Sequence, residues 1–74
     1  MHIYNNLDAR RAVLKVFGDR ARHSIHTIDK TGSRFSVRLK WAPYEPIPEL
    51  PEGVVARRDK DYLVVIFERR DVEL

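Results

Sequence analysis

Apolar residues recur at helical spacing from Leu7 to Phe17, where Leu7, Ala9, Ala12, Val13, Leu14, Val16 and Phe17 wrap more than half of a helix circumference. Asp8, Arg11 and Lys15 are left on a narrow polar strip, with Arg10 at its edge. Asn5 is suited to cap the N-terminus, its side-chain oxygen accepting from the backbone N–H of Asp8, and Asp8 puts negative charge where the helix dipole favours it. Gly18 supplies the stop. The pattern predicts a helix over residues 6–17, with an apolar stripe wider than one sheet face requires.

The period then changes from 3.6 to two. Phe35, Val37, Leu39 and Trp41 alternate with Arg34, Ser36, Arg38 and Lys40, the signature of a strand with one buried face. Residues 20–42 therefore read as a β-hairpin. Asp29-Lys30-Thr31-Gly32 fits a type I turn closed by a left-handed glycine, which pairs Asp29 with Ser33. Counting back from that turn puts Thr27, Ile25, His23 and Ala21 on the inner face, opposite Phe35, Val37, Leu39 and Trp41. The outer face then holds Ile28 opposite Arg34, His26 opposite Ser36, and Arg22 opposite Lys40, with no carboxylate. Like charges placed opposite one another destabilise a sheet, so this arrangement points to function.

All four prolines lie in residues 43–53, an extended connector, since proline lacks the ladder N–H and restricts the residue before it. Pro43 with Pro46 and Pro48 with Pro51 have P-x-x-P spacing, but three Glu stand where basic flanks would serve peptide recognition. A second hairpin follows over residues 54–68, turning at Arg58-Asp59-Lys60-Asp61. Its last strand is apolar on both faces, with Tyr62, Val64 and Ile66 on one and Leu63, Val65 and Phe67 on the other. Such a strand belongs inside a sheet with cover above and below. Residues 69–74 read as a charged tail. The fold class expected is α+β, one N-terminal amphipathic helix packed on a four-stranded antiparallel sheet made from two hairpins.

Size sharpens this picture. With 74 residues and no Cys, the chain forms one domain held by apolar packing alone, and 43% hydrophobic content suffices for a core. One helix covers one side of a sheet. A homodimer is therefore expected, a second copy covering the face of Leu63, Val65 and Phe67. No apolar run reaches the length of a membrane span and Met1 starts no basic-then-apolar signal, so the expected location is cytoplasmic, with no membrane partner.

Charge is unevenly spread. The net charge of +3 divides into nine basic against three acidic residues over 1–41, a balance of +6, and five against eight over 42–74, a balance of −3. Arg20, Arg22, Arg34, Arg38 and Lys40, with His26 among them, form the candidate surface for an acidic partner, and Tyr44 is the candidate stacking group.

Enzyme signatures are sparse. Gly18, Gly32 and Gly53 are not spaced for a phosphate loop, and His2, His23 and His26 make no metal set, so neither metal nor cofactor is expected. The expected function is a non-enzymatic binding or regulatory protein whose basic hairpin face engages a nucleic-acid backbone. A protein-binding module acting through an apolar strand face or the proline segment is the alternative. A third is a small metal-free ribonuclease-like toxin, with His26 as base and Arg22, Arg34 and Arg38 holding phosphate near Tyr44 or Tyr62.

Overall fold

In the computed structural model, which describes residues 1–74, helix α1 spans Asn6–Phe17, followed by a short 3₁₀ helix at Asp19–His23. Four strands follow: β1 (Ile25–Thr31), β2 (Arg34–Lys40), β3 (Val54–Asp59) and β4 (Tyr62–Phe67). They form one antiparallel sheet ordered β1-β2-β4-β3, so the architecture is the α+β arrangement that the sequence predicts. The helix ends where its caps require. Asp8 N–H donates to Asn5 Oδ1 at 2.8 Å, Asp8 Oδ2 accepts from Tyr4 N–H at 3.0 Å, and the N–H of Gly18, at φ +92°, donates to the Leu14 carbonyl.

Alternation along the central strands determines the core. Phe35, Val37 and Leu39 of β2 and Leu63, Val65 and Phe67 of β4 point to one side, where Ala9, Ala12, Val13 and Phe17 of α1 close on them. Leu63, Val65 and Phe67 are each at most 1% exposed. They are spent in the chain's own core and offer no surface to a second copy, contrary to their expected interface role. The face of β4 that stays partly open is the other one, Tyr62, Val64 and Ile66.

The first hairpin differs from its expected register. Thr31 pairs with Arg34 across a two-residue turn, and Gly32, at φ +64°, takes the first central position, where a type II′ turn places glycine. Ile28 then pairs with Val37 and Ile25 with Leu39, with a β-bulge at His26 absorbing the extra residue. Burial decides between the two turns. A type I turn at Asp29 would send Ile28 outward, whereas the observed pairing and the bulge pack both Ile25 and Ile28 against the core. The chain before Ile25 is not strand: Arg22 and His23 lie exposed in the 3₁₀ helix, so Arg22 does not face Lys40 and His23 is not a core residue.

The expected charged tail is also corrected. Ile3 N–H donates to the Arg70 carbonyl at 2.7 Å and Val72 N–H to the Met1 carbonyl at 2.9 Å, so the two ends pair antiparallel and bring Ile3 and Val72 into the core. The connector crosses on the helix side. Trp41 anchors it, with Nε1–H donating to the Pro46 carbonyl at 3.3 Å and its ring edge-on to Phe17 at 5.3 Å between centroids. Leu50 packs on the core near Lys15 and Val16.

Because Ile3 reaches full burial only through the pairing of the chain ends, Ile3→Ala is expected to cost about 2–5 kcal/mol. The check is a lowered urea midpoint with an unchanged slope; an unaltered midpoint would show that the ends do not hold the core.

Candidate functional site

The helix, the connector and both chain ends lie on one side of the sheet, so the opposite side has no cover from the chain. Register assigns its side chains in rows across the strands. Thr27, Arg38, Val64 and Arg57 form one row, Asp29, Ser36, Ile66 and Val55 the next, and Lys40, Tyr62 and Asp59 a third, with Arg34 at the far end of β2. Within the strands this face counts four basic side chains against two carboxylates. Arg34, Lys40 and Arg57 have no ion-pair partner.

Arg38 organises the middle of the face. Its guanidinium crosses β4, lies 5.2 Å from the centroid of the Tyr62 ring and donates to Asp59 Oδ2 at 2.8 Å. The bulge turns His26 onto the same face, where its ring sits 5.2 Å from that of Tyr62. His26, Tyr62 and Arg38 thus make a contiguous set of three planar groups. Beside them is a depression of about 380 Å³ with Val64 as its one apolar lining residue and Asp29, Ser36, Arg57, Arg58 and Asp59 around it.

Electrostatics at Asp59 follow from this contact. The hydrogen bond from Arg38 and then its charge hold the Asp59 carboxyl below the usual carboxylate range, against an opposing effect of desolvation, with Lys60 and Arg57 adding weaker attraction. The hairpin face expected to be free of carboxylates carries Asp29, which the shifted register sets opposite Ser36, and Asp59 joins it from the second hairpin. Asp59 reaches Arg38 from β3, two strands away, and no local pattern signals such a contact.

The candidate residues are only partly brought together. His26, Arg34, Arg38 and Lys40 lie on the open face. Arg20 does not: it forms an ion pair with Glu45 and stacks 4.5 Å from the Trp41 ring centroid on the helix side. Arg22 pairs with Asp19 at 3.0 Å within the 3₁₀ helix. Tyr44, 88% exposed, lies beyond the end of the sheet near His23 and Lys40, away from the Arg38 cluster. Arg57 extends this face from the second hairpin, where the sequence offered Arg57 or Arg58 as an extension of the basic stripe, and Tyr62, expected only beside the ribonuclease set, is the aromatic group at its centre.

Connector carboxylates leave the face open, since Glu45 holds Arg20, Glu52 holds Arg69 at 2.8 Å, and Glu49 lies beside Lys15. Three members of the ribonuclease inventory, His26, Arg38 and Tyr62, meet here, whereas Arg22 stands off the sheet. Acidic and imidazole side chains do not gather in threes at metal-binding distance. No helix is long and apolar enough to cross a membrane.

The sign of the Asp59 shift generates a pH test. Its native carboxyl binds a proton less readily than the unfolded one, so the contribution is full above the unfolded value of about 3.8 and is lost as pH falls through the lower native value. Asp59→Asn is expected to be less stable than wild type near neutrality, with the two urea midpoints converging as the pH drops below about 4. A gap that persists unchanged in acid would remove the Arg38–Asp59 pair as its cause.

No protein-family model matches this chain, and neither a curated protein nor a solved structure matches it.

Proposed function

We propose that this is a small non-enzymatic binding protein whose uncovered sheet face engages the phosphate backbone of a nucleic acid. The observation that carries the reading is the presence of Arg34, Lys40 and Arg57 on that face without ion-pair partners, while the connector and the helix occupy the other side. Cations held on a sheet with no carboxylate in contact do little for stability and much for association with a polyanion. Each phosphate neutralised releases condensed counterions, so the contact is entropically driven and weakens with salt.

A protein partner is the second reading, and Val55 supports it, standing 41% exposed beside the partly exposed Val64 and Ile66. This apolar patch is the surface that a second copy or another protein would cover, in place of Leu63, Val65 and Phe67. The two readings differ in their response to ionic strength. Burial of Val55, Val64 and Ile66 tolerates salt, whereas phosphate contact does not.

Arg34→Ala, Lys40→Ala and Arg57→Ala are each expected to weaken nucleic-acid binding and to reduce the slope of log affinity against log salt by about one. Fluorescence anisotropy at several salt concentrations reads both effects. Flat curves for single and double strands at low salt would end the nucleic-acid reading.

A further inference from the structure

We infer that the open face takes single-stranded nucleic acid, with an unpaired, amino-bearing base lodged in the depression beside Arg38 and its edge held by Asp29. This rests on the backbone-binding reading and adds to it what lies between the phosphates.

Two carboxylates and three arginines line the depression, and Arg38 is engaged by Asp59 while Arg58 donates to the Trp41 and Ala42 carbonyls. Asp29 has no ion-pair partner, so it opposes a phosphate placed beside it and leaves Arg57 as the one untethered cation of the lining. A nucleobase meets no such opposition. Exocyclic amines of cytosine, adenine and guanine donate hydrogen bonds and a free carboxylate only accepts, so Asp29 is complementary to an amine, whereas thymine and uracil offer it a single N3–H flanked by two carbonyl oxygens that repel it. Ser36, on the same row, supplies a hydroxyl able to donate and accept. The volume of about 380 Å³ lies within the range of small-molecule sites, and Val64 is the one apolar lining residue of the depression.

Stacking comes from the neighbouring planar groups. Asp59 ties down the guanidinium that Arg38 lays near the Tyr62 ring, and His26 continues the set along the sheet. Unpaired bases stack on such aromatic and guanidinium surfaces with little regard to sequence, whereas bases in a duplex are already stacked and paired. Arg57 from β3 and Arg34 and Lys40 from the two ends of β2 then flank the depression, placed for the phosphates on either side of the bound base. A strand crossing the sheet meets the one free carboxylate, Asp29, and all three unpaired cations.

The test measures anisotropy of labelled cytosine-only and thymine-only DNA strands and of a mixed-sequence duplex with the full-length chain. Wild type is expected to bind the cytosine strand several-fold more tightly than the thymine strand, and either more tightly than the duplex. Asp29→Asn should erase the cytosine preference, because an amide both donates and accepts. Tyr62→Ala should weaken both single strands about tenfold without changing the salt slope, and Tyr62→Phe should restore them. Equal affinity for cytosine, thymine and duplex would overturn the inference while salt-sensitive binding kept the backbone reading intact. Absence of binding to all three would overturn both, and a stable dimer that excludes the oligonucleotide would overturn the inference in favour of a second copy.

Discussion

Pairing of β2 with β4 runs unbroken from Phe35 opposite Phe67 to Lys40 opposite Tyr62, and every side chain on both strands is committed to a face by that one register. The row Phe35, Val37, Leu39 and the row Phe67, Val65, Leu63 meet on the helix side and supply six of the fifteen buried residues, all of them apolar. A slip of one residue would bury Arg38 and Ser36 and expose the largest side chains of the core. The two outer strands depend on this pair, β1 through the bulge at His26 and β3 through its ladder to β4.

A chain of this size buries little more than half of its unfolded surface, so everything outside the sheet is recruited to one side of it. Trp41 is the node of that arrangement. Its ring meets Phe17 and the guanidinium of Arg20, its indole N–H donates to the Pro46 carbonyl, and its carbonyl accepts from Arg58. The connector is thereby turned toward α1, and the chain ends add Ile3 and Val72 to the same layer. No buried side-chain nitrogen or oxygen is left without a partner, so the core holds no polar group in reserve for chemistry. Function belongs to the side that this recruitment leaves bare.

On that bare side, charge is distributed by strand order. Arg38 and Asp59 come from the two strands that flank β4, and their hydrogen bond spans it over Tyr62, which fixes a long flexible side chain in a flat pose. Both partners are substantially exposed, so the pair contributes more to the shape of the surface than to stability. Arg34, Lys40 and Arg57 have no such tether. A face with one tethered centre and unpaired cations around it suits a ligand with a planar part and a charged part.

Much of the fold was legible along the chain. Helix limits followed from Asn5, Asp8 and Gly18 because capping is local chemistry, and β2 and β4 followed from clean alternation because one buried face imposes a period of two. β1 was harder to read. Ile25 and Ile28, three apart, both face inward only because a bulge intervenes, and that spacing was the available signal for it. Of the site, His26, Arg34, Arg38 and Lys40 were legible as a basic hairpin face, while Arg20 and Arg22 were misplaced once the chain before Ile25 turned into a 3₁₀ helix. Local pattern sufficed for α1, β2 and β4 and for the residues they bury, since periodicity and caps act over a few neighbours. That β3 brings Asp59 to Arg38 and that the connector leaves the outer face open came from strand order and packing, because contacts between residues distant along the chain are encoded in no local pattern.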